Sequence, residues 1–346
     1  MPQAEPVGII GAGSFGTAMA NLMALNTDVL VYSRNPELVE RLSKDRFRFG
    51  VELHERVTVT NDFAHIAERC QLIFPIVPSD AFRTMMRQVT QYLEPRHVLI
   101  HGTKGFDITG VEVAHIPETG IGRNQVHTMT DVILQESPVV RVGALTGPNL
   151  ARELLDGQPS ASVIASKFDE VIRRASTVLS SQQLHVFHTH DMLGAELAGV
   201  LKNVIALGSG ILKGIGLGKN VQAMLITRGL HEMIYFGRAL GSDNKAFFGT
   251  AGIGDLIATA TSRKSRNYTF GFRIGQGESL EEVRATSQEL AEGVRTLMIT
   301  RHLAQELKLR VPITEMLYRI VFEQFPIDQA MQYLITYPYK VDVDFL

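Results

Sequence analysis

The sequence of 346 residues predicts an α/β domain with a mostly parallel sheet, followed by an all-helical domain. Three observations carry that expectation. Short apolar runs alternate with helical stretches up to about residue 190, the pattern of a parallel sheet with helices on both faces. A glycine-rich turn separates the first such run from the first helix. Beyond Asp191 the strand signals stop, and Met192–Leu212 and Val221–Leu240 are long and apolar-rich. The expected division is therefore 1–191 and 192–346, and no Pro/Gly/Ser-rich linker marks it, so close packing of the two parts is expected.

Taken in order, Val7–Ile10 is an apolar run of the kind that makes a buried parallel strand. Ala18, Met19, Leu22, Met23 and Leu25 follow at helical spacing, and Asp28–Ser33 reads as the second strand. Further strands are expected at Val57–Thr60, Leu72–Val77, Val98–Gly102, Val140–Thr146 and Ala161–Ala165, with Leu184–Thr189 the last. Helical patterns continue to about Leu334.

Lys and Arg number 34 against 36 Asp and Glu, a net charge of −2, so the chain has no general attraction for nucleic acid or an anionic membrane surface. With 45% apolar and 20% charged residues, the composition is that of a globular protein. Cys70 is the single cysteine, which excludes an intrachain disulfide and a Cys-rich zinc module. The 22 residues between Glu5 and Asp28 carry no charge, but they hold Gly8, Gly11, Gly13 and Gly16. No Lys or Arg precedes Arg34, so the basic flank of an export signal is missing and a cytoplasmic protein without membrane insertion is expected.

Gly11-Ala-Gly13-Ser14-Phe15-Gly16 is a G-x-G-x-x-G between a strand and a helix. Its glycines permit a tight turn and close backbone approach, and the helix N-terminus adds partial positive charge, which together suit a dinucleotide pyrophosphate. A glycine-rich turn without a ligand is the competing reading, and the flanking strand–helix–strand context favours the dinucleotide. Tyr32, Ser33, Arg34 and Asn35 occupy the end of the second strand, where an NAD site usually carries an acidic residue. Arg34 suits a 2′-phosphate, so NADP is favoured over NAD; an exposed arginine at a strand end is the alternative.

Four further segments carry chemistry. Thr103-Lys104-Gly105 and Gly147-Pro148-Asn149 each follow a strand, at the sheet edge where ligands bind in this topology. Gly194, Ala198, Lys202, Ala206, Gly210, Gly214 and Gly218 recur every four positions and share one helix face. Interior glycines weaken a helix by about 1 kcal/mol each, so several together imply close approach of another backbone or a ligand. Lys202 then faces the crowded side, beside Asn203, where a desolvated lysine can act as general acid or base; snorkelling past small neighbours to water is the plainer alternative. Asp255, after Gly252-Ile253-Gly254, can orient Lys202 or a substrate hydroxyl, or cap the helix 256–261. Arg263-Lys264-Ser265-Arg266-Asn267 combines cations with polar donors and suits a phosphate, against the reading of an ordinary basic turn. His185, His188 and His190 form H-x-x-H-x-H, but on a strand His185 faces away from the other two, so no metal is expected. Together these features point to hydride transfer on a small phosphorylated carbonyl or alcohol.

On these residues the sequence resembles the bacterial-type NAD(P)-dependent sn-glycerol-3-phosphate dehydrogenases nearly end to end. The likeness is carried by Gly11–Ala18, Lys104-Gly105, Gly147–Ala151, Glu196–Val204, Thr227–Gly229, Gly252–Leu256, Ser265–Asn267 and Glu292-Gly293. The resemblance implies a Rossmann-like domain, a helical domain, a homodimer, and interconversion of dihydroxyacetone phosphate and sn-glycerol 3-phosphate that supplies phospholipid synthesis. It makes Lys202 the general acid/base. Lys104, Gly147, Asn149, Asp255, Ser265, Arg266 and Asn267 are implied to bind substrate with Lys202. Gly11, Gly13, Ser14, Phe15, Gly16, Arg34, Lys104, Ala151, Arg266, Leu290 and Glu292 are implied to bind cofactor. Phe15 stands where many members have Trp, Asn149 where many have Ser or Thr, and Leu290 where Val is expected. His127–Pro138 matches no pattern of the family. Two other classes stay in view: a β-hydroxyacid dehydrogenase, which pairs its lysine with Asn four residues on where this chain has Ala206, and an inactive NADP-binding sensor.

Overall fold

The computed structural model describes residues 5–287, 291–338 and 341–342. The chain divides into two compact units, residues 1–107 with 127–196, and residues 108–126 with 197–346.

The first unit is built on eight strands: β1 (Val7–Ile10), β2 (Val29–Tyr32), β3 (Val57–Thr60), β4 (Leu72–Pro75), β5 (Val98–His101), β6 (Arg141–Thr146), β7 (Ser160–Ala165) and β8 (Leu184–Thr189). Their order in the sheet is β8-β7-β6-β5-β4-β1-β2-β3. Every expected strand is present; four are shortened by a residue or two, and β7 begins one residue earlier. Val7, Ile9, Val29, Val31, Phe74, Ile100, Leu145 and Ile164 are buried on it, as runs covered on both faces require. The strand order reverses between β1 and β4, and the loops leaving β1, β2, β5 and β6 emerge at one edge, the place where such sheets bind ligands.

One junction departs from the parallel expectation. β6 and β7 are antiparallel, with Leu145 opposite Ile164. The six residues of β6 span about 20 Å, whereas the helix Ala151–Leu155 after it advances only about 8 Å. The chain therefore re-enters the sheet from the edge it has just left. The segment 127–138, which matches no sequence pattern, holds the helix Met129–Glu136. A reciprocal cap starts it: Asp131 N donates to Thr128 Oγ1 at 3.3 Å and Thr128 N to Asp131 Oδ2 at 2.9 Å.

The second unit is helical. Its main helices are Met192–Gly214, which begins in the first unit, Lys219–Leu240, Asp255–Thr261, Arg266–Gly275, Glu292–Glu306 and Pro312–Glu323. Among the described residues Met192–Gly214 is the one helix long and apolar enough to cross a membrane, and its most apolar stretch is wholly buried. The uncharged stretch between Glu5 and Asp28 is instead β1, the glycine turn and the helix Ser14–Met23. Residues 108–126, expected in the first domain, belong with the helical unit: Ile116 and Ile121 are buried, and the short helix Ile116–Thr119 packs on Glu292–Glu306. The division at 191/192 is thus interrupted by this stretch and falls a few residues later, after Glu196.

Glu232 closes the start of the helix Pro312–Glu323 from within the core. Its carboxyl accepts from Ile313 N at 2.6 Å, Thr314 N at 3.0 Å and Thr314 Oγ1 at 2.7 Å. Burial outweighs these bonds and pushes the group up to about 7. A carboxyl that holds its proton more tightly when folded stabilises fully below the unfolded value near 4.5, and that contribution disappears as pH rises through about 7. Relative to Glu232→Gln, the native protein should lose about 3 kcal/mol of unfolding free energy between pH 4.5 and 8. Urea unfolding of both proteins across that range checks this; a difference independent of pH contradicts it.

Candidate active site

At the edge of the first unit the β1 turn has the form a pyrophosphate requires. Gly11 adopts φ +119°, and a Cβ there would overlap the Ile76 carbonyl. A Cβ at Gly13 would meet nothing within 4 Å, so the approach to this backbone is open. The helix Ser14–Met23 starts at this point with no side-chain cap on its first amides. Phe15 lies against Gly102 at the end of β5. Arg34 is exposed beyond β2, followed by Asn35, which caps Pro36–Asp45 through Leu38 N at 3.1 Å. These groups fit a dinucleotide.

Two loops on the same edge are joined. Lys104 Nζ donates to the Gly147 carbonyl at 2.9 Å. Asn149 is held by its own side chain, donating to Thr146 O at 3.0 Å and accepting from Ser162 Oγ at 3.0 Å. Ala151 opens the short helix that follows. Beneath them, buried His101 Nε2 lies 2.9 Å from Glu196 Oε1, which also accepts from Thr130 N at 3.0 Å.

The second unit brings Lys202 and Asp255 together. Lys202 Nζ is ion-paired with Asp255 Oδ1 and donates to Thr259 Oγ1 at 2.6 Å; Thr259 Oγ1 lies 3.2 Å from the same carboxylate oxygen. Lys202 and Asp255 are 5% and 1% exposed, so the lysine does not snorkel to water. A lone ammonium at that depth would be costly, and the carboxylate compensates it. Asp255 is not the helix cap: Gly254 occupies that place, at the end of a π-helical turn Thr250–Gly254.

The glycine face of Met192–Gly214 has a backbone explanation. A Cβ at Gly210 would overlap the Tyr268 carbonyl, and one at Gly271 the Leu207 carbonyl. The helix Arg266–Gly275 therefore packs backbone to backbone against Met192–Gly214. Gly218 lies outside this contact and caps the next helix.

That close packing presents the start of Arg266–Gly275 beside the lysine helix. Ser265 is its N-cap, accepting from Tyr268 N at 3.3 Å. Asn267 donates to Asn203 Oδ1 at 2.9 Å and accepts from Gly293 N at 2.8 Å, so its carboxamide ties three elements together. Arg266 is exposed to solvent, yet desolvation by its surroundings lowers its guanidinium, and Glu292 partly opposes that. Leu290 lies outside the described residues.

Sequence reading missed Thr259, although its place four residues after Asp255 on one helix was a usable signal. His101 was also missed, and nothing local marks it. The histidine segment keeps the alternation expected of a strand: His185 stacks on Phe187 at 4.4 Å between centroids, while His188 and His190 pair at 6.4 Å.

Comparison with known proteins shows which family the chain resembles. The family model for the N-terminus of NAD-dependent glycerol-3-phosphate dehydrogenase matches residues 6–172, and that for its C-terminus matches residues 191–332. The glycerol-3-phosphate dehydrogenase (NAD(P)+) of Ectopseudomonas mendocina is 36% identical over 100% of this chain and 98% of its own. That of Azotobacter vinelandii is 38% identical over 99% and 97%. The crystal structure of glycerol-3-phosphate dehydrogenase from Coxiella burnetii superposes with a TM-score of 0.85 at 29% identity, covering 96% of this chain and 99% of that one. The chain belongs to the NAD-dependent glycerol-3-phosphate dehydrogenase family.

Proposed function

We propose that this protein interconverts dihydroxyacetone phosphate and sn-glycerol 3-phosphate, with Lys202 as the general acid/base. The carrying observation is the buried Lys202–Asp255–Thr259 constellation next to the helix start at Arg266. A bound nicotinamide cofactor would provide hydride chemistry at C2 of the substrate in the direction of reduction. Lys202 donates a proton to the carbonyl oxygen as the alkoxide develops, and takes it back in the reverse direction. Asp255 and Thr259 fix the ammonium, so its orientation is set before substrate arrives.

Arg266 and the first amides of its helix hold the phosphate, supported by Ser265, with Asn267 keeping that helix in register against Asn203. Lys104, Gly147 and Asn149 serve substrate from the sheet edge. Gly11, Gly13, Ser14, Phe15 and Gly16 would hold the cofactor, with Ala151, Lys104, Arg266, Leu290 and Glu292 as further contacts. Arg34, and the absence of an acidic residue at the end of β2, support NADP(H) as the preferred form. The first unit is thus the cofactor-binding part and the second the substrate-binding part. A cytoplasmic homodimer supplying glycerol 3-phosphate to phospholipid synthesis completes the reading, on the strength of the family resemblance.

Binding at the non-reacting phosphate positions the carbonyl. At saturating cofactor, Arg266→Gln should therefore lower kcat/KM for dihydroxyacetone phosphate by about 10–100-fold and that for unphosphorylated dihydroxyacetone far less. Steady-state rates with both ketones check this. An equal loss on both would remove the phosphate role from Arg266.

A further inference from the structure

The hairpin of Phe47–Arg48 with Val51–Glu52 has no role in the account so far, yet it is fastened to the dinucleotide turn. Arg48 Nε donates to the carbonyl of Ala12, between Gly11 and Gly13, at 2.7 Å. Asn21, on the helix that follows that turn, donates to Glu52 O at 2.8 Å and accepts from His54 N at 3.0 Å. Arg152 Nη1 donates to Phe49 O at 3.3 Å. The bend places Phe49 at φ +50° and Gly50 at φ +84°, positive at both central positions as in a type I′ hairpin turn. A bulky aromatic side chain rarely adopts such a φ, and such strain persists only where the surroundings enforce it. Its effect is to set the Phe49 ring under the Arg48 guanidinium, 4.5 Å from the ring centroid.

The guanidinium is thus oriented twice, through Nε and through its face. Among the described residues no carboxylate pairs with Arg48, Arg41 or Arg34. Burial lowers the Arg48 guanidinium, and the positive charge of Arg41, from the helix Pro36–Asp45, adds to that effect. Arg48 at the cofactor turn, with the charge of Arg41 acting on it and no paired carboxylate, calls for an anionic ligand.

We propose that Arg48, with Arg41, joins Arg34 in binding the adenosine 2′-phosphate of NADP(H), making the 47–52 hairpin a cofactor-specificity element. This rests on the NADP(H) reading above. The 2′-phosphate is a monoester with close to two negative charges at neutral pH, while NAD(H) offers a neutral hydroxyl there. The pyrophosphate is common to both cofactors and belongs to the helix start at Ser14. The two anion sources are therefore separable by cofactor choice.

The experiment is direct fluorescence titration of wild type, Arg48→Gln and Arg41→Gln with NADPH and with NADH, with 2′,5′-ADP and 5′-AMP as competitors. Arg48→Gln should raise the NADPH Kd about 10–100-fold and leave the NADH Kd within about threefold; Arg41→Gln, exposed and so certain to fold, should act in the same direction by several-fold. Inhibition by 2′,5′-ADP should weaken in parallel, and that by 5′-AMP should not. Equal weakening of both cofactors assigns Arg48 to the pyrophosphate or to support of the turn and overturns the proposal. Unchanged affinities in both variants overturn it as well. Wild type that binds NADH as tightly as NADPH removes the NADP(H) reading and the proposal with it. Wild type and variants that all favour NADPH equally remove the proposal alone.

Discussion

Lys202→Ala should lower kcat by about 10²–10⁴-fold, the usual loss when a positioned acid/base is removed, while cofactor affinity stays near that of wild type. The size of the effect follows from burial. Lys202 and Asp255 are almost fully enclosed, so bulk water is a poor substitute proton donor at that position. The same enclosure makes the converse change informative. Asp255→Asn removes the carboxylate that compensates the buried ammonium, and breaking one side of a buried ion pair is strongly destabilising. That variant and Lys202→Met should therefore both lose stability as well as turnover, since each removes one side of a buried ion pair. Steady-state kinetics and thermal melts of the variants separate the two effects. Near-normal turnover in Lys202→Ala would remove the lysine from the mechanism.

Gly271→Val should be the most damaging change away from the chemistry. The added Cβ overlaps the Leu207 carbonyl, and no side-chain rotation relieves an overlap with backbone. The helices Met192–Gly214 and Arg266–Gly275 would have to separate, moving Lys202 and Asn203 relative to Ser265, Arg266 and Asn267. A loss of about 3 kcal/mol or more is expected, a fall in melting temperature on the order of 10 °C, together with loss of activity. Gly218→Ala is the control. It belongs to the same four-residue spacing, but its φ is −84° and nothing lies within 4 Å of the added carbon. That change should cost no more than about 1 kcal/mol, the loss of a glycine N-cap to alanine. Gly271→Val with wild-type stability would contradict the backbone contact.

These two changes also mark what the sequence makes legible. The strands of the sheet are readable because runs such as Val7–Ile10 and Val98–His101 are apolar and short, whatever they pair with. The reversal at β6–β7 is not readable in that way, since it depends on how far a five-residue helix carries the chain. The assignment of 108–126 to the helical unit rests on Ile116 and Ile121 finding a distant partner, which no local pattern encodes. In the site, small residues at four-residue spacing single out Lys202, while the cause of the spacing, the backbone of Arg266–Gly275, lies some sixty residues away. Asn267 looks like a phosphate donor from its neighbours Ser265 and Arg266, yet its carboxamide bonds Asn203 and Gly293. Arg48 is invisible in sequence because its partner is the carbonyl of Ala12, and a backbone acceptor leaves no signature.

The most direct test of the central claim is the reaction itself. Purified protein is mixed with dihydroxyacetone phosphate and either NADPH or NADH, cofactor oxidation is followed by absorbance, and the product is identified by NMR. The expected result is stoichiometric formation of sn-glycerol 3-phosphate, faster with NADPH at limiting cofactor, and, in a separate assay with NADP+, no comparable oxidation of 3-hydroxyisobutyrate. Tight cofactor binding with no turnover of dihydroxyacetone phosphate by either cofactor would contradict it.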